Sequence, residues 1–401
     1  MLIELPDAVS PVLWQDLRHI RDWAESDRDV RPFLFPPTSR NALARRAEAR
    51  AYAPELADAL ATFAALKAQP AEFDGGRIAK ACDAVVEWAQ SHEYSHTAIA
   101  WAELAASIAL TDPKLANSAG RLTRNANEFD RAEVWFLRAI GLARRQGNEI
   151  EKFWGHAGYA KVCKETGRVK DARRHLNRAS SIARKGGPPS LAAALQHELC
   201  AFLMLRGRLK EAVERAHKAL DLYPYSEPRL PLFGADMALL LILTRRYSLG
   251  ARVARVVLRV LDKHFARPAI LAIAARAFAG AGEQEEAAVH RSRSLKLLAK
   301  HSQYEALTWW HLAEALRLLG QWDAARVDAE MGLRTAERQN DREMVRLLRM
   351  SLRLIDEHRA APARPASSRD REIVRGLTEK LSRWIPRRGR DSGPWGLDRA
   401  A

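Results

Sequence analysis

The feature that most constrains the fold is a six-residue motif that recurs along the chain at nearly even spacing. Its successive copies start 36 to 40 residues apart, a period typical of helical solenoids. Such a period predicts an array of stacked units rather than one compact core. The copies are NEFDRA at 127–132, GRVKDA at 167–172, GRLKEA at 207–212, a weaker RYSLGA at 246–251, GEQEEA at 282–287 and GQWDAA at 320–325.

Each copy carries the signals of a turn between two helices. Gly or Asn at the first position permits the left-handed backbone that ends a helix. An acidic residue before the Ala falls in the first turn of the next helix, where the helix dipole favours it. Residues four and seven positions beyond the Ala, such as Leu176 and Ala179, share one helix face. Each copy therefore predicts a helical hairpin.

This pattern resembles the tetratricopeptide repeat family, in particular bacterial members with long repeats. The resemblance covers roughly residues 77–340 and is clearest at 127–224 and 304–335. It implies an all-α fold, a right-handed α-solenoid of about seven hairpins. The family places a small residue seven positions before the turn glycine. Those positions hold Gly120, Ala160, Cys200, Ala275 and Ala313, with Leu239 as the exception.

The helical signals give bounds for each hairpin and for the segments outside the array. The predicted hairpins pair 77–91 with 94–111, 113–126 with 129–146, 151–166 with 169–185, 190–206 with 209–223, 230–245 with 249–265, 268–281 with 284–300, and 303–319 with 322–339. Residues 1–70 predict an N-terminal helical cap or small module, with helices at 10–26 and 40–68. Residues 341–358 predict a capping helix, and 359–370 predict a linker.

The C-terminal segment 371–401 predicts a basic amphipathic tail. Its apolar stripe at helical spacing consists of Ile373, Leu377, Leu381 and Trp384. A basic amphipathic helix of this kind folds back on its own array, docks in a partner's groove or lies on an anionic membrane. The sequence leaves these alternatives open.

The charge balance narrows the classes of partner. With 65 Lys and Arg against 49 Asp and Glu, the formal net charge is +16. Such a surface suits nucleic acid, an anionic membrane or an acidic peptide, and it also suits plain solvation of helix faces. No signal-peptide pattern and no apolar run of membrane-spanning length is present, and the three cysteines form no CxxC pair. We expect a soluble, cytoplasmic protein without a disulfide framework or zinc site.

The sequence contains no motif that predicts catalysis. Phosphate-binding loops, dinucleotide-binding glycine patterns, HExxH and the GxSxG nucleophile elbow are absent. The twelve histidines are scattered, and none pairs with an acidic residue at metal-ligand spacing. We therefore predict no catalytic, cofactor-binding or metal-binding residues.

The family resemblance implies where a partner binds. First helices of the hairpins line the concave side in this family, and their inward positions contact bound peptides. The corresponding positions here are Lys114, Asn117, Arg121, Arg124, Trp154, Lys161, Lys164, His197, Asp236, Arg276, Trp310 and Arg317. The early cations in this set predict an acidic or carboxylate-bearing peptide. The alternatives are solvated charges on ordinary helix faces and, for the two tryptophans, core packing.

These observations favour a non-catalytic scaffold or adaptor that binds a protein segment. A close variant is a peptide-sensing regulator whose repeat array changes curvature. The alternative is a helical-repeat protein that binds RNA or another nucleic acid, although no base-reading pair recurs in each repeat. A weaker alternative is a peripheral membrane adaptor attached through the tail. The sequence leaves the oligomeric state open.

Overall fold

A computed structural model describes residues 4–185, 188–261, 266–298 and 304–384. Within these ranges every regular element is helical, with nineteen α-helices and three short 3-10 helices. The chain divides into two compact units. The first comprises Met1–Arg124 and Asp130–Gly155, and the second comprises Asn125–Phe129 and His156–Ala401.

The first unit begins with three helices that precede the hairpins. Helix α1 buries one apolar face, which includes Leu13, Leu17, Ile20 and Trp23. The indole Nε1 of Trp23 donates to the carbonyl of Pro70 at 2.8 Å, which fixes the helix against the chain entering the first hairpin. The helices of this unit are α1 Ser10–Glu25, α2 Arg40–Tyr52, α3 Ala57–Ala68, α4 Gly75–Ser91, α5 Ser95–Ile108, α6 Pro113–Asn125 and α7 Phe129–Gln146.

The single helix expected over 40–68 is wrong, because the structure contains α2 and α3 with a 3-10 turn between them. Pro54 opens this turn, and a proline inside a helix removes a hydrogen bond and clashes with the preceding turn. Helix α2 buries only Ala49. Arg46 holds it in place by donating to both carboxylate oxygens of Asp16 on α1 and to the carbonyl of Leu60 on α3.

The second unit continues the hairpins. Helix α8 (Glu149–Glu165) begins in the first unit and ends in the second. The expected helix ends within 262–265 and 299–303 lie outside the described residues. The remaining helices are α9 Val169–Arg184, α10 Pro189–Leu205, α11 Leu209–Leu222, α12 Leu230–Leu243, α13 Tyr247–Val260, α14 Arg267–Ala281, α15 Gln284–Leu298, α16 Glu305–Leu318, α17 Trp322–Arg338, α18 Arg342–Asp356 and α19 Ser368–Ser382.

Each turn motif closes its hairpin in the same way. Gly167 has φ +77°, and its second helix begins two residues later at Val169. The amide of Arg168 donates to the carbonyl of Cys163, and that of Gly167 to Lys164. These two bonds form the Schellman pattern that satisfies the last carbonyls of a helix. Positive φ recurs at the predicted turn residues Asn127, Gly207, Gly282 and Gly320.

The degenerate copy predicted at 246–251 is one residue out of register with its turn. The left-handed residue is Arg245 with φ +64°, and α13 begins two residues later at Tyr247. In this register the small residue seven positions earlier is Ala238, so the apparent exception at Leu239 disappears. The first hairpin has the same geometry with Glu93 at φ +64°, although its turn glycine is missing.

The C-terminal part of the chain makes long-range contacts within the second unit. Arg346 of α18 donates to the carbonyl of Leu205 at the end of α10, and a Cβ on Gly167 would lie 3.4 Å from Arg342. The linker expected over 359–370 ends earlier, because α19 begins at Ser368, and its segment 359–367 is attached to the hairpins by three hydrogen bonds. They run from Arg317 to the carbonyl of Arg359, from Tyr247 to the carbonyl of Ala361, and from the Arg364 amide to the carbonyl of Arg245.

The fold class predicted from the sequence is confirmed. In each unit helices pack on their neighbours in chain order, as α4 does on α5, and α14 on both α15 and α16. The chain is an all-α protein built of tetratricopeptide-like helical hairpins.

Candidate functional site

The predicted lining positions on α6 form a partly exposed basic face in the first unit. Lys114, Arg121 and Arg124 are each neither buried nor fully exposed. Arg121 donates to the side-chain oxygen of Gln90 at 3.3 and 3.4 Å and to Ser118 at 3.5 Å, which are long hydrogen bonds. All three side chains also interact with other groups of the protein, and their partial exposure lets an anionic ligand reach them.

Asn117 lies on the same helix but serves packing rather than an open surface. Its side chain is 9% exposed, and its amide donates to the carbonyl and the carboxylate of Glu151 on α8. Gly155 leaves room for it, because a Cβ there would meet Asn117 Oδ1 at 3.3 Å and Ile140 at 2.7 Å. The amide of this predicted lining residue thus joins α6 to α8.

The predicted positions on α8 differ along the helix. Trp154 is half-buried, and its ring meets Phe153 edge-on with centroids 5.0 Å apart. Farther along, Lys164 lies 4.0 Å from its neighbour Glu165. Trp154 therefore packs in part, as the alternative interpretation expected, while the lysine remains partly exposed.

Lys161 belongs to a buried charge cluster in the second unit. Glu198 Oε1 of α10 lies 2.8 Å from Lys161 Nζ and accepts a 2.5 Å hydrogen bond from Arg229. Burial alone would raise the pKa of Glu198, but Lys161 and Arg229 outweigh it and lower that pKa below its usual range. Glu198 is therefore ionised and holds α8 and α12 to α10.

His197 joins a second polar cluster on the neighbouring face. Its Nε2 lies 2.8 Å from Asp236 Oδ2, and its Nδ1 lies 3.0 Å from the phenol oxygen of Tyr223. The order carboxylate, imidazole, hydroxyl matches the connectivity of a nucleophilic triad. Burial raises the pKa of Tyr223 above its usual range, so its hydroxyl is a poor nucleophile. The cluster joins α10, α12 and the residue that ends α11.

Glu314 of α16 is the centre of the third and most buried cluster. Its carboxylate oxygens accept hydrogen bonds from Arg276 and Ser351 at 2.8 Å, and from Arg317 at 2.9 and 2.8 Å. Burial alone would raise the pKa of Glu314, but Arg276 and Arg317 outweigh it and lower the pKa. Trp310 completes the cluster, because its Nε1 donates to Ser351 at 3.0 Å and Arg276 lies over its ring.

The structure places the last three predicted lining residues inside the protein. Arg276, Trp310 and Arg317 are 6%, 2% and 5% exposed. Helix α18 covers them through Ser351, and the linker carbonyl of Arg359 accepts from Arg317. Trp310 is therefore a core residue, which was the alternative interpretation of the two tryptophans.

Sequence reasoning missed the roles of Glu198, Glu314 and Ser351, which organise these clusters. Glu198 and Glu314 lie on first helices that are otherwise rich in apolar residues, and Ser351 lies in a helix expected only as a cap. An acidic residue on such a helix is the signal that could have revealed the first two, because a buried carboxylate requires a cation partner.

The tail residues are covered by the chain's own helices. Ile373, Leu377 and Leu381 are buried against α12 and α13, and Trp384 Nε1 donates to the carbonyl of Glu227 at 3.0 Å. The apolar face that docking elsewhere or membrane attachment requires is occupied in this structure. Residues 385–401, including the remaining part of the basic tail, lie outside the described residues.

A further set of buried side chains lies outside these clusters and consists of His156, His175, Cys82 and Cys200. His156 and His175 face each other with their Nδ1 atoms 3.1 Å apart, and burial with nearby Arg178 lowers the pKa of His175 to about 4. Burial raises the pKa of Cys82 and Cys200, which disfavours the reactive thiolates. Among the described residues no group of three or more potential ligands could hold a metal ion.

A search of the described helices identifies none that is both long and apolar enough to cross a membrane. No protein-family model matches the sequence, and no curated protein matches it. A solved TPR domain, that of P58(IPK), is similar at 13% identity and a TM-score of 0.23, with 87% of this chain and 99% of that chain covered. A TM-score of 0.23 does not show that the two folds superpose over their full length. The assignment of tetratricopeptide-like hairpins therefore rests on the repeated turn geometry and on the packing of consecutive helices.

Proposed function

We propose that this tetratricopeptide-like protein is a non-catalytic interaction module that binds an acidic, carboxylate-bearing peptide on the basic face of α6. The observation that carries the proposal is the partly exposed row Lys114, Arg121 and Arg124 on one first helix. These side chains supply charge-assisted hydrogen bonds, and arginine in particular binds a carboxylate with two parallel donors.

The choice of this face rests on how it differs from the other predicted positions. In the second unit the cations Arg276 and Arg317 already bind the buried carboxylate of Glu314. An incoming carboxylate would have to displace these buried pairs, which costs several kcal/mol. The cations of α6 are partly exposed, so a ligand can reach them from solvent.

The test is a titration of the full chain with a short fluorescein-labelled, glutamate-rich peptide, monitored by fluorescence anisotropy. We expect the double variant Arg121→Glu, Arg124→Glu to bind at least about tenfold more weakly, because each reversed charge repels the peptide. The matched control is Arg144→Glu, Arg145→Glu, which changes two exposed arginines of α7 in the same unit. The control should bind as the wild type does.

Equal binding by the wild type and the α6 variant would remove this assignment. A peptide with an amidated C-terminus separates recognition of the terminal carboxylate from recognition of the acidic side chains. A single-stranded RNA of similar length tests the nucleic-acid alternative. Binding of the RNA but not the peptide, with an affinity that falls steeply as salt rises, would replace the proposal.

A further inference from the structure

Helix α19 lies on the second unit as an amphipathic helix lies in a partner's groove. Ile373, Leu377 and Leu381 follow one another at four-residue spacing and are buried against α12 and α13. Arg371, Glu372, Arg375 and Glu379 cover the opposite face and are exposed. Val374 is buried beside them, and Val374, Leu377 and Leu381 stand at positions i, i+3 and i+7, a spacing of helix-in-groove recognition.

The groove is shaped for a large aliphatic side chain at the last anchor. A Cβ built on Gly234 of α12 would lie 3.0 Å from Leu381 and 2.8 Å from Val257 of α13. A side chain at position 234 would therefore require Val257 and Leu381 to shift, so the absence of one lets Leu381 lie close against α12.

Polar groups at both ends of the groove set the direction of the bound helix. Arg246 at the start of α13 pairs with Asp370 in the first turn of α19. At the other end Lys380 Nζ donates to the carbonyls of Leu220 and Tyr223 at 2.6 and 2.7 Å, where α11 ends. The acidic first turn of α19 thus faces the cation Arg246, and its basic last turn faces the C-terminal end of α11, where carbonyl groups favour a positive charge.

The array does not depend on α19 for its own continuity. Helices α12 and α13 pack on each other and on α14, so the hairpins remain in contact without the tail helix. Nearly all side chains of the connecting segment 357–367 are exposed. In a repeat array each unit is stabilised mainly by its neighbours, so a peripheral helix can leave without unfolding them.

From these contacts we propose that the α12–α13 groove is a docking site for an amphipathic helix of a partner protein, and that α19 is its resident, displaceable occupant. The partner helix carries an acidic residue in its first turn, three large aliphatic residues spaced four positions apart, and a lysine or arginine near its end. The inference is independent of the peptide site on α6, which lies in the other unit.

The test uses the full chain and a fluorescein-labelled peptide of residues 366–384. In the wild type the tethered α19 has a millimolar effective concentration, so the free peptide competes poorly. The variant Leu377→Asp, Leu381→Asp releases the resident helix, and we expect it to bind the peptide at least about a hundredfold more tightly. Arg375→Asp is the matched control, because it adds an aspartate to the exposed face of the same helix.

Three results of the titration would overturn the inference. The first is equal affinity for the wild type and the released variant. The second is absence of binding by a released variant whose circular dichroism matches the wild type. The third is an unchanged affinity when Arg246→Glu is added to the released variant. That result would show that Arg246 does not recognise the acidic first turn of the bound helix.

Hydrogen exchange of the wild type gives a second measurement that does not depend on a variant folding. We expect the amides of α19 to exchange faster than those of α13 and α14, because α19 opens before the array does. Exchange of α19 only together with α13 would overturn displacement. A wild-type dimer that Leu377→Asp dissociates would also overturn the proposal, because a second copy would then be the occupant.

Discussion

Helix α6 and helix α16 occupy the same place in their repeats, yet their charged residues have opposite surroundings. On α6 the guanidinium of Arg121 makes long contacts with Gln90 and Ser118 and remains partly exposed. On α16 Glu314 is 3% exposed and binds two arginines and a serine. We call the partly exposed α6 face the open surface, and the α16 face, which the chain itself covers, the closed surface.

The difference arises from later segments of the chain that pack over α16. Helix α18 covers it through Ser351, which bonds to Glu314, and the linker covers it through the carbonyl bonded to Arg317. A position inferred from the repeat family alone therefore does not define a ligand surface. The surface remains open only where no later segment of the chain covers it.

The strongest test of the closed surface is Glu314→Ala. Removing the carboxylate leaves Arg276 and Arg317 as buried cations without their shared partner, so we expect a loss of about 3–5 kcal/mol in the free energy of unfolding. Urea denaturation measures it. The control Glu285→Ala changes an exposed glutamate of α15 and should stay within about 0.5 kcal/mol. Equal losses would mean that the cluster does not hold the closed surface together.

A second test concerns the start of α18, which covers that surface. Asp341 caps the helix by accepting from the amide of Met344. Burial, followed by Glu165, raises its pKa from 3.8 to about 7, although Lys164 opposes the shift. Because the pKa is raised in the folded state, the protonated carboxyl of Asp341 stabilises the fold. This stabilisation is complete below about pH 3.8 and is lost as the pH rises through about 7.

Asp341→Asn keeps the capping oxygen without the charge. We expect this variant to be more stable than the wild type by about 2 kcal/mol near pH 8, and equally stable near pH 4. Urea titrations across this pH range measure the difference. A constant difference between the two proteins at every pH would show that the carboxyl of Asp341 does not titrate in this range.

A smaller effect is expected at the turn where the linker crosses the array. Arg245 has φ +64°, a conformation that costs a residue with a side chain about 1 kcal/mol, and its carbonyl accepts from Arg364. Arg245→Gly should raise the free energy of unfolding by about 1 kcal/mol, as judged by thermal melting. A destabilised glycine variant would show that the arginine side chain contributes more than its backbone costs.

The smallest effect on stability is expected on the open surface. Arg121→Ala should change the free energy of unfolding by less than about 0.5 kcal/mol, because interactions of a partly exposed charge are screened by solvent. The same substitution should still weaken binding of the acidic peptide. A loss of several kcal/mol in urea denaturation would place Arg121 among the closed clusters and remove the comparison.

The hairpin array could be predicted because each turn carries its own local signal. Gly207, with its left-handed backbone at φ +71°, ends one helix, and the next helix begins two residues later at Leu209. The one-residue error at Arg245 shows the limit of that signal. A left-handed turn can form at an arginine, and the weak copy was aligned on Ala251, whereas Gly250 holds that position when the turn is at Arg245.

The candidate site was less predictable, because burial depends on contacts between distant parts of the chain. Nothing local to Arg276 indicates that Ser351 and Arg359 will close over its cluster. The sequence did identify the anchors of α19, since four-residue spacing of Leu377 and Leu381 is local. Which surface receives those anchors depends on residues far away in the chain, such as Gly234 of α12.

The hydrogen bond from Arg346 to Leu205 spans 141 residues and has a mechanical consequence. A simple stack of repeats frays from its ends, one unit after another, because each repeat contacts only its neighbours. Here α18 is fastened to α10, so the repeats between them are held at both ends. When the chain is pulled from its C-terminal side, α19 should detach first, and the remaining second unit should then resist as a single body and yield in one large step.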